Sequence, residues 1–404
     1  PPALAVVNPN RADQASPLRH LAAVGVAFVV LVALARELRG SGFFADRPEP
    51  ALLELLDLVA LGTVCDVVPL TGLNRAFVHQ GLKVARGTGL PGITALARAA
   101  GLPAVTDARQ LGYVLGPRIN AGGRIGRSDL GARLLTSTSP EEAAALAAEL
   151  HALNAERQAI ERGLLDAAQR AIEPQLTAGL PVLLASGVGW HPGIVGIVAS
   201  RLVERHHRPV VVLGIADGVA KGSARSIRGF DLGAAVIAAR QEGLLQQGGG
   251  HDMAAGMTLA ATELERLHRF LLDRFAAEIC VGVPPPAALE LDGALSVGAA
   301  QPSLALQLQQ LAPYGAGNAE PSFMLTEAFV NGSRVVGESH VSCVLTGPAG
   351  GRVKAIAFRS AATALGRELT ESRVPLRLAG RMRLEHWQGR EQVCFEIDDA
   401  APLP

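Results

Sequence analysis

The chain has 404 residues, room for two or three domains. Its 49% hydrophobic content and mean hydropathy of +0.27 exclude a disordered chain. The 37 basic and 37 acidic side chains cancel, which excludes a polybasic protein that holds anions through net charge, so any anion site must be local.

Residues 1–8 read as starting in mid-domain, behind a Pro rather than a Met, and further sequence upstream is expected. The uncharged stretch Leu21–Ala35 would span ~22 Å as a helix, short of the ~30 Å of a bilayer core. It therefore reads as a buried helix and not as a leader or a membrane span. Apolar periodicity predicts helices over about 24–39, 50–61, 74–86 and 91–100. Ser139-Pro140-Glu141-Glu142 then offers an N-cap, a first-turn proline and a capping-box acid. The helix formers that follow predict one rod of ~50 Å to about Ile172, closed by Pro174 and Gly179 and suited to connecting two domains. Pro181–Ser186 and Pro209–Gly214 read as buried strands flanking a helix over Ile194–Glu204. Asp231 is expected to cap a helix, and Thr262-Glu263-Leu264-Glu265 to open another by a capping box. Strands alternating with helices predict an α/β unit. Pro284-Pro285-Pro286 marks a boundary, and beyond it runs at Val341–Leu345, Val353–Phe358, Pro375–Leu384 and Gln392–Ile397, with a helical insert at 361–369, predict a small β-barrel of the OB type. The domains are thus drawn at 1–138, 139–175 (the long helix), 180–282 and 286–404. Cys65, Cys280, Cys343 and Cys394 form no Cys-x-x-Cys pair, which predicts neither zinc knuckle nor disulfide framework and fits the cytoplasm.

Five segments carry candidate chemistry. In Gly62–Leu70 a lone carboxylate, Asp66, sits amid apolar residues. It is either a metal ligand or a helix cap, and one carboxylate alone does not hold a divalent ion. In Gly116–Arg127, Arg118, Asn120, Arg124 and Arg127 are interleaved with glycines, a composition that suits phosphate contact or a polar surface turn. Trp190-His191 opens a helix, where amides attract anions; a lone His there is more often a packed turn residue. Lys221-Gly222-Ser223-Ala224-Arg225-Ser226 reads as a strand with Ser223 and Arg225 on one face, suited to a sugar-phosphate backbone or to a charged edge strand. Lys221 is one of only three lysines, with Lys83 and Lys354. Gly248-Gly249-Gly250-His251 permits a compact nest of amides, with His251 as a further donor to phosphate.

In this order the five segments resemble the RecJ family of single-stranded-DNA exonucleases within the DHH/DHHA1 phosphoesterase superfamily. Gly62–Leu70 is similar to the family's fourth metal-binding motif, with Asp66 at the ligand position. The 117–124 segment resembles its Arg-Asn-Gly stretch beside the active site. Trp190–Gly196, Ser223–Ser226 and Gly249–Gly256 resemble the DHHA1 domain, and Tyr314–Pro321 the lead-in to the RecJ OB-fold. The Asp-His-His and earlier acidic motifs of the family are absent from these residues. The resemblance implies two-metal hydrolysis of phosphodiester bonds with Mn²⁺ or Mg²⁺, 5′-to-3′ on single-stranded DNA in repair and recombination, with this chain an inactive part retaining one ligand. It further implies a nucleic-acid surface from Arg118, Asn120, Arg124, Lys221, Ser223, Arg225, Ser226, Gly249, Gly250 and His251. Trp387, Phe358 and Phe395 are the aromatic candidates for base stacking in the barrel, or else barrel core. A monomer is expected, with no membrane contact and a single-stranded-DNA-binding protein as candidate partner. Two alternatives stay open: a catalytically silent strand binder, and a short-oligonucleotide or cyclic-dinucleotide phosphodiesterase.

Overall fold

The computed structural model describes residues 3–13, 15–87, 89–279, 289–387 and 390–403, with the side chains of 386–390 left out. The chain opens with α1 (Ala23–Gly40), α2 (Leu56–Cys65), α3 (Gly72–Arg86) and α4 (Pro91–Ala99). α1, α3 and α4 match the predicted helices closely, whereas α2, led in by a 3₁₀ turn at Leu52–Leu55, starts and ends later than the expected 50–61. α5 (Gly116–Ile125) and α6 (Leu130–Thr136) precede the long α7 (Pro140–Thr177). β1 (Leu183–Val188), α8 (Pro192–His206), β2 (Val210–Ala216), β3 (Val219–Arg225), α9 (Leu232–Gln241), β4 (Gln247–His251), β5 (Ala254–Ala260) and α10 (Leu264–Glu278) follow. The chain ends with β6 (Gly293–Leu295), α11 (Pro302–Gln309), β7 (Phe323–Val336), β8 (His340–Thr346), β9 (Arg352–Ala357), α12 (Ala364–Glu371), β10 (Leu376–Trp387) and β11 (Arg390–Pro402). Residue contacts divide the chain into two compact units. One comprises residues 1–89, 104–113 and 288–404, the other 90–103 and 114–287.

In the first unit, α1 packs on α2 and α3 through Phe28, whose ring meets Phe77 edge-on at 5.4 Å. Its far side is not buried as expected: Val32 and Leu34 are 47% and 51% exposed. No helix among the described residues is long and apolar enough to cross a membrane. The C-terminal strands form a sheet in the order β10-β11-β9-β8-β7-β6, and β10 also pairs with β7, closing a barrel. Its core is Leu325, Val341, Leu345, Ala355, Leu378 and Phe395. The sequence pattern does not reveal β6, β7 or α11.

The second unit is built on a five-stranded sheet, order β1-β2-β3-β5-β4, with β1 and β2 parallel and the rest antiparallel. One face packs on α9 and α10; the other, over β1–β3, packs on α8 and the end of α7. The Ser139 hydroxyl caps α7 by accepting from Glu142 N–H at 3.2 Å, while the Glu142 carboxylate turns to the Ser137 hydroxyl instead of closing the box. Pro174 lies inside α7 and does not end it, since a proline one turn from the end removes a single bond; Gly179, at φ +71°, does. α7 packs along its own unit, on α4, α5 and α6 and then on α8 and β1. Asp231 caps α9 as expected. Thr262 caps nothing: Ala261–Glu263 form a 3₁₀ turn ahead of α10. Pro284-Pro285-Pro286 and Cys280 fall outside the described residues. Cys65, Cys343 and Cys394 are free thiols, and burial pushes the last two up to about 11 and about 12.

Candidate nucleic-acid interface and the Asp66 turn

Strand period places Lys221, Ser223 and Arg225 on one face of β3, and the register extends this face sideways. Lys221 lies beside Thr258 and Gln247, Ser223 beside Gly256 and Gly249, Arg225 beside Ala254 and His251. Beyond β3 no helix among the described residues covers this face, and Gly249, Gly256 and His251 are exposed. A Cβ at Gly249 would meet nothing within 4 Å, and one at Gly256 only the Gly222 carbonyl at 3.9 Å. The result is a shallow floor of bare backbone, bordered by a lysine, a serine, an arginine and, at the sheet edge, a histidine. The glycines of β4 are extended strand residues and none has positive φ, so the expected amide nest does not form. Pairing with β5 has decided their conformation; what remains is the absence of side chains.

The first turn of α8 lies over Ser223 and Arg225: a Cβ at Gly196 would be 3.1 Å from an Arg225 nitrogen and 3.3 Å from the Ser223 hydroxyl. Arg225 donates to Ser223 Oγ at 2.5 Å and to Ala224 O at 2.8 Å. Arg124, at the end of α5, donates to Gly193 O at 2.9 Å. Burial, and then the neighbouring Arg124, lower the pKa of Arg225 from the usual arginine value; burial, and then Arg157, lower that of Arg124. Neither guanidinium forms an ion pair among the described residues. Arg225 is partly buried and Arg124 exposed, and the nearest carboxylate to act on Arg124, that of Glu161, is already engaged by Arg157, so an anion joining the two guanidiniums would relieve their repulsion. Behind them, Arg157 is buried and donates to Asn154 Oδ1 and to Glu161, whose other oxygen lies 3.5 Å from Arg201.

Other candidates have different jobs. The 116–125 segment is helical, so its amides are spent inside α5. Arg118 is tied to Val114 O and to the His151 ring, Arg127 is paired with Asp129, and Asn120 is exposed. His191 is the N-cap of α8, its Nδ1 accepting from Gly193 N–H at 3.1 Å, and Trp190 lies on Gly187 and Gly214. Ser226 is 2% exposed and donates to Phe230 O at 2.9 Å, which makes it a core fastener and not a strand contact. Phe395 is barrel core, Phe358 is exposed beside His340, and the side chain of Trp387 lies outside those described. Asn154, Arg157 and Glu161 escape the sequence reading. Spacings of three and four on α7, polar residues within an otherwise buried stripe, are the signal that could have found them.

In the first unit Asp66 is the C-cap of α2, its N–H bonded to Gly62 O at 2.9 Å. The carboxylate is exposed and has no hydrogen bond or ion pair among the described residues. An acid at a helix C-terminus faces the negative end of the dipole, so the side chain does not stabilise the helix as a cap would. Val67 follows at φ +56°, a conformation that costs a β-branched residue about 1–3 kcal/mol. No group of three or more His, Cys, Asp or Glu able to hold a metal exists among the described residues. A divalent ion therefore finds one candidate ligand here, and the chain's described residues do not build a metal centre by themselves.

The fold is an α/β sheet domain with arginines clustered at one sheet face, joined in sequence to a closed β-barrel. Residues 179–277 match the DHHA1 domain family and residues 291–399 the RecJ OB domain family. Over its whole length the chain is 38% identical to the single-stranded-DNA-specific exonuclease RecJ of Dickeya dadantii and 37% identical to that of Escherichia coli, spanning 71% of each. Solved structures of Thermus thermophilus RecJ, in complex with Mn²⁺ and with Mg²⁺, superpose with TM-scores of 0.75 and 0.76 at 32% and 30% identity. They cover 94% and 98% of this chain, which spans about half of theirs, 53% and 57%. The chain belongs to the RecJ family.

Proposed function

We propose that this chain is the strand-holding portion of a single-stranded-DNA exonuclease that hydrolyses phosphodiester bonds 5′-to-3′ in DNA repair and recombination. The observation that carries this reading is the unpaired couple Arg124 and Arg225, set at the border of the glycine floor with Lys221, Ser223 and His251. Guanidinium groups grip successive phosphates, while the side-chain-free floor lets the sugar-phosphate chain lie against backbone. Only 4% of the residues are aromatic, so charge outweighs stacking in the grip. Asp66 is the residue we assign to the reacting centre, and the complexes of Thermus thermophilus RecJ with Mn²⁺ and with Mg²⁺ support a divalent ion as cofactor. The 404 residues alone are expected to bind but not to digest, since Asp66 stands without further ligands among those described. The free thiols suit a reducing, cytoplasmic setting. We further propose a monomer, with a single-stranded-DNA-binding protein as a candidate partner.

Titration of a fluorescent 20-nucleotide strand and the matching duplex with this chain tests the reading. At least tenfold tighter binding of the single strand is expected; equal affinity sinks it. Mn²⁺-dependent digestion by the chain alone would overturn the assignment of the reacting centre.

A further inference from the structure

We infer that residues 311–318, the segment leading into the barrel, act as a clamp that positions the Asp66 turn, with Gly317, Asn318 and Arg75 as positioning residues. This rests on Asp66 acting in the reaction. Both segments lie in the same unit. Val67 is left-handed at φ +56° and 71% exposed, so its side chain gains no packing that would offset the strain. The conformation must be held from both ends. At one end, the Asp66 and Val67 N–H groups bond to Gly62 O and Val64 O, at 2.9 and 3.1 Å. At the other, the Leu70 N–H donates to Ala316 O at 2.6 Å, and the fully buried Asn74 donates to Pro69 O at 3.0 Å.

Residues 311–318 are themselves braced for this contact. Gly315 and Asn318 exchange backbone hydrogen bonds of 2.9 and 3.1 Å, closing a tight turn. The Asn318 amide donates to Leu311 O at 3.1 Å and to Pro313 O at 2.8 Å, and Arg75 of α3 donates to Leu311 O at 2.7 Å. Gly317 has φ +67°, and a Cβ there would sit 2.8 Å from Pro69 Cβ. Only glycine satisfies both demands. The barrel's lead-in thus fixes Pro69 and Leu70, and through three residues of backbone it fixes the aim of the Asp66 carboxylate.

Hydrogen–deuterium exchange on the 404-residue chain tests the clamp directly. Asn318→Ala and Gly317→Ala are expected to speed exchange of the Leu70 amide about tenfold or more, and Arg75→Ala about threefold, with exchange in β3 and β5 unchanged. Unchanged Leu70 exchange in Asn318→Ala and Arg75→Ala would overturn the inference, even if Gly317→Ala failed to fold. In the full-length protein Asn318→Ala is expected to lower kcat for strand digestion about tenfold at unchanged KM; a rise in KM alone would reassign the segment to substrate binding and also overturn the inference. Full activity in Asp66→Asn would remove the reading of Asp66, while the exchange result would still decide whether the clamp exists.

Discussion

The sheet face of β3, β5 and β4 and the turn after α2 use opposite means to present chemistry. On the sheet, regular strands put Lys221, Ser223 and Arg225 in a row, and the surface is shaped by what is missing above Gly249 and Gly256. At the turn, one carboxylate is exposed on a backbone bent against its preference and gripped by a segment some 250 residues later in the chain. A face made from strand period tolerates local change except where bulk or charge is altered. A turn held under strain depends on distant partners.

Filling the floor gives the largest expected effect. Gly256→Leu adds bulk where there is space, so the fold should persist while single-strand affinity drops by about a hundredfold, the worth of one or two charged hydrogen bonds at ~1.5–3 kcal/mol each. Anisotropy titration beside a melting curve checks this, and retained affinity would show that the strand lies elsewhere. Arg225→Ala is expected to weaken binding about tenfold and to lessen the salt slope by roughly 0.7, the share of a single phosphate neutralised on one strand. Unchanged affinity across several salt concentrations would break the phosphate assignment. Ser139→Ala should lower the stability of the second unit by about 1 kcal/mol through loss of the α7 cap, measured by urea unfolding, with strand affinity retained in the folded protein. Least of all, Asp66→Asn should leave strand binding by this chain within twofold. A large loss there would mean that the turn, too, is part of the grip.

The sheet face is legible in sequence because its determinants are neighbours: two-residue period aligns Ser223 with Arg225 without any tertiary knowledge. The conformation of Gly248–Gly250 is not, since a glycine run accepts either a nest or a strand and only β5 decides. Gly116–Arg127 reads as a turn because four glycines lower helix propensity, yet packing against α7 and continuity with the helical turn before it prevail. Ser226 shares its segment's polar look but follows the end of the strand, where the chain turns it inward to Phe230. The support of the Asp66 turn is invisible in sequence, because nothing in Pro313–Asn318 betrays which distant loop it touches.

The rod-like α7 has a thermodynamic corollary. Its first half buries Leu146 and Leu150 with α4, α5 and α6, its second half Leu164, Ala168 and Ile172 with α8 and β1. A rupture in mid-helix would strip both halves of their packing at once. The sheet that carries Arg225 is therefore expected to melt together with the helices at the far end of that rod, as a single calorimetric transition.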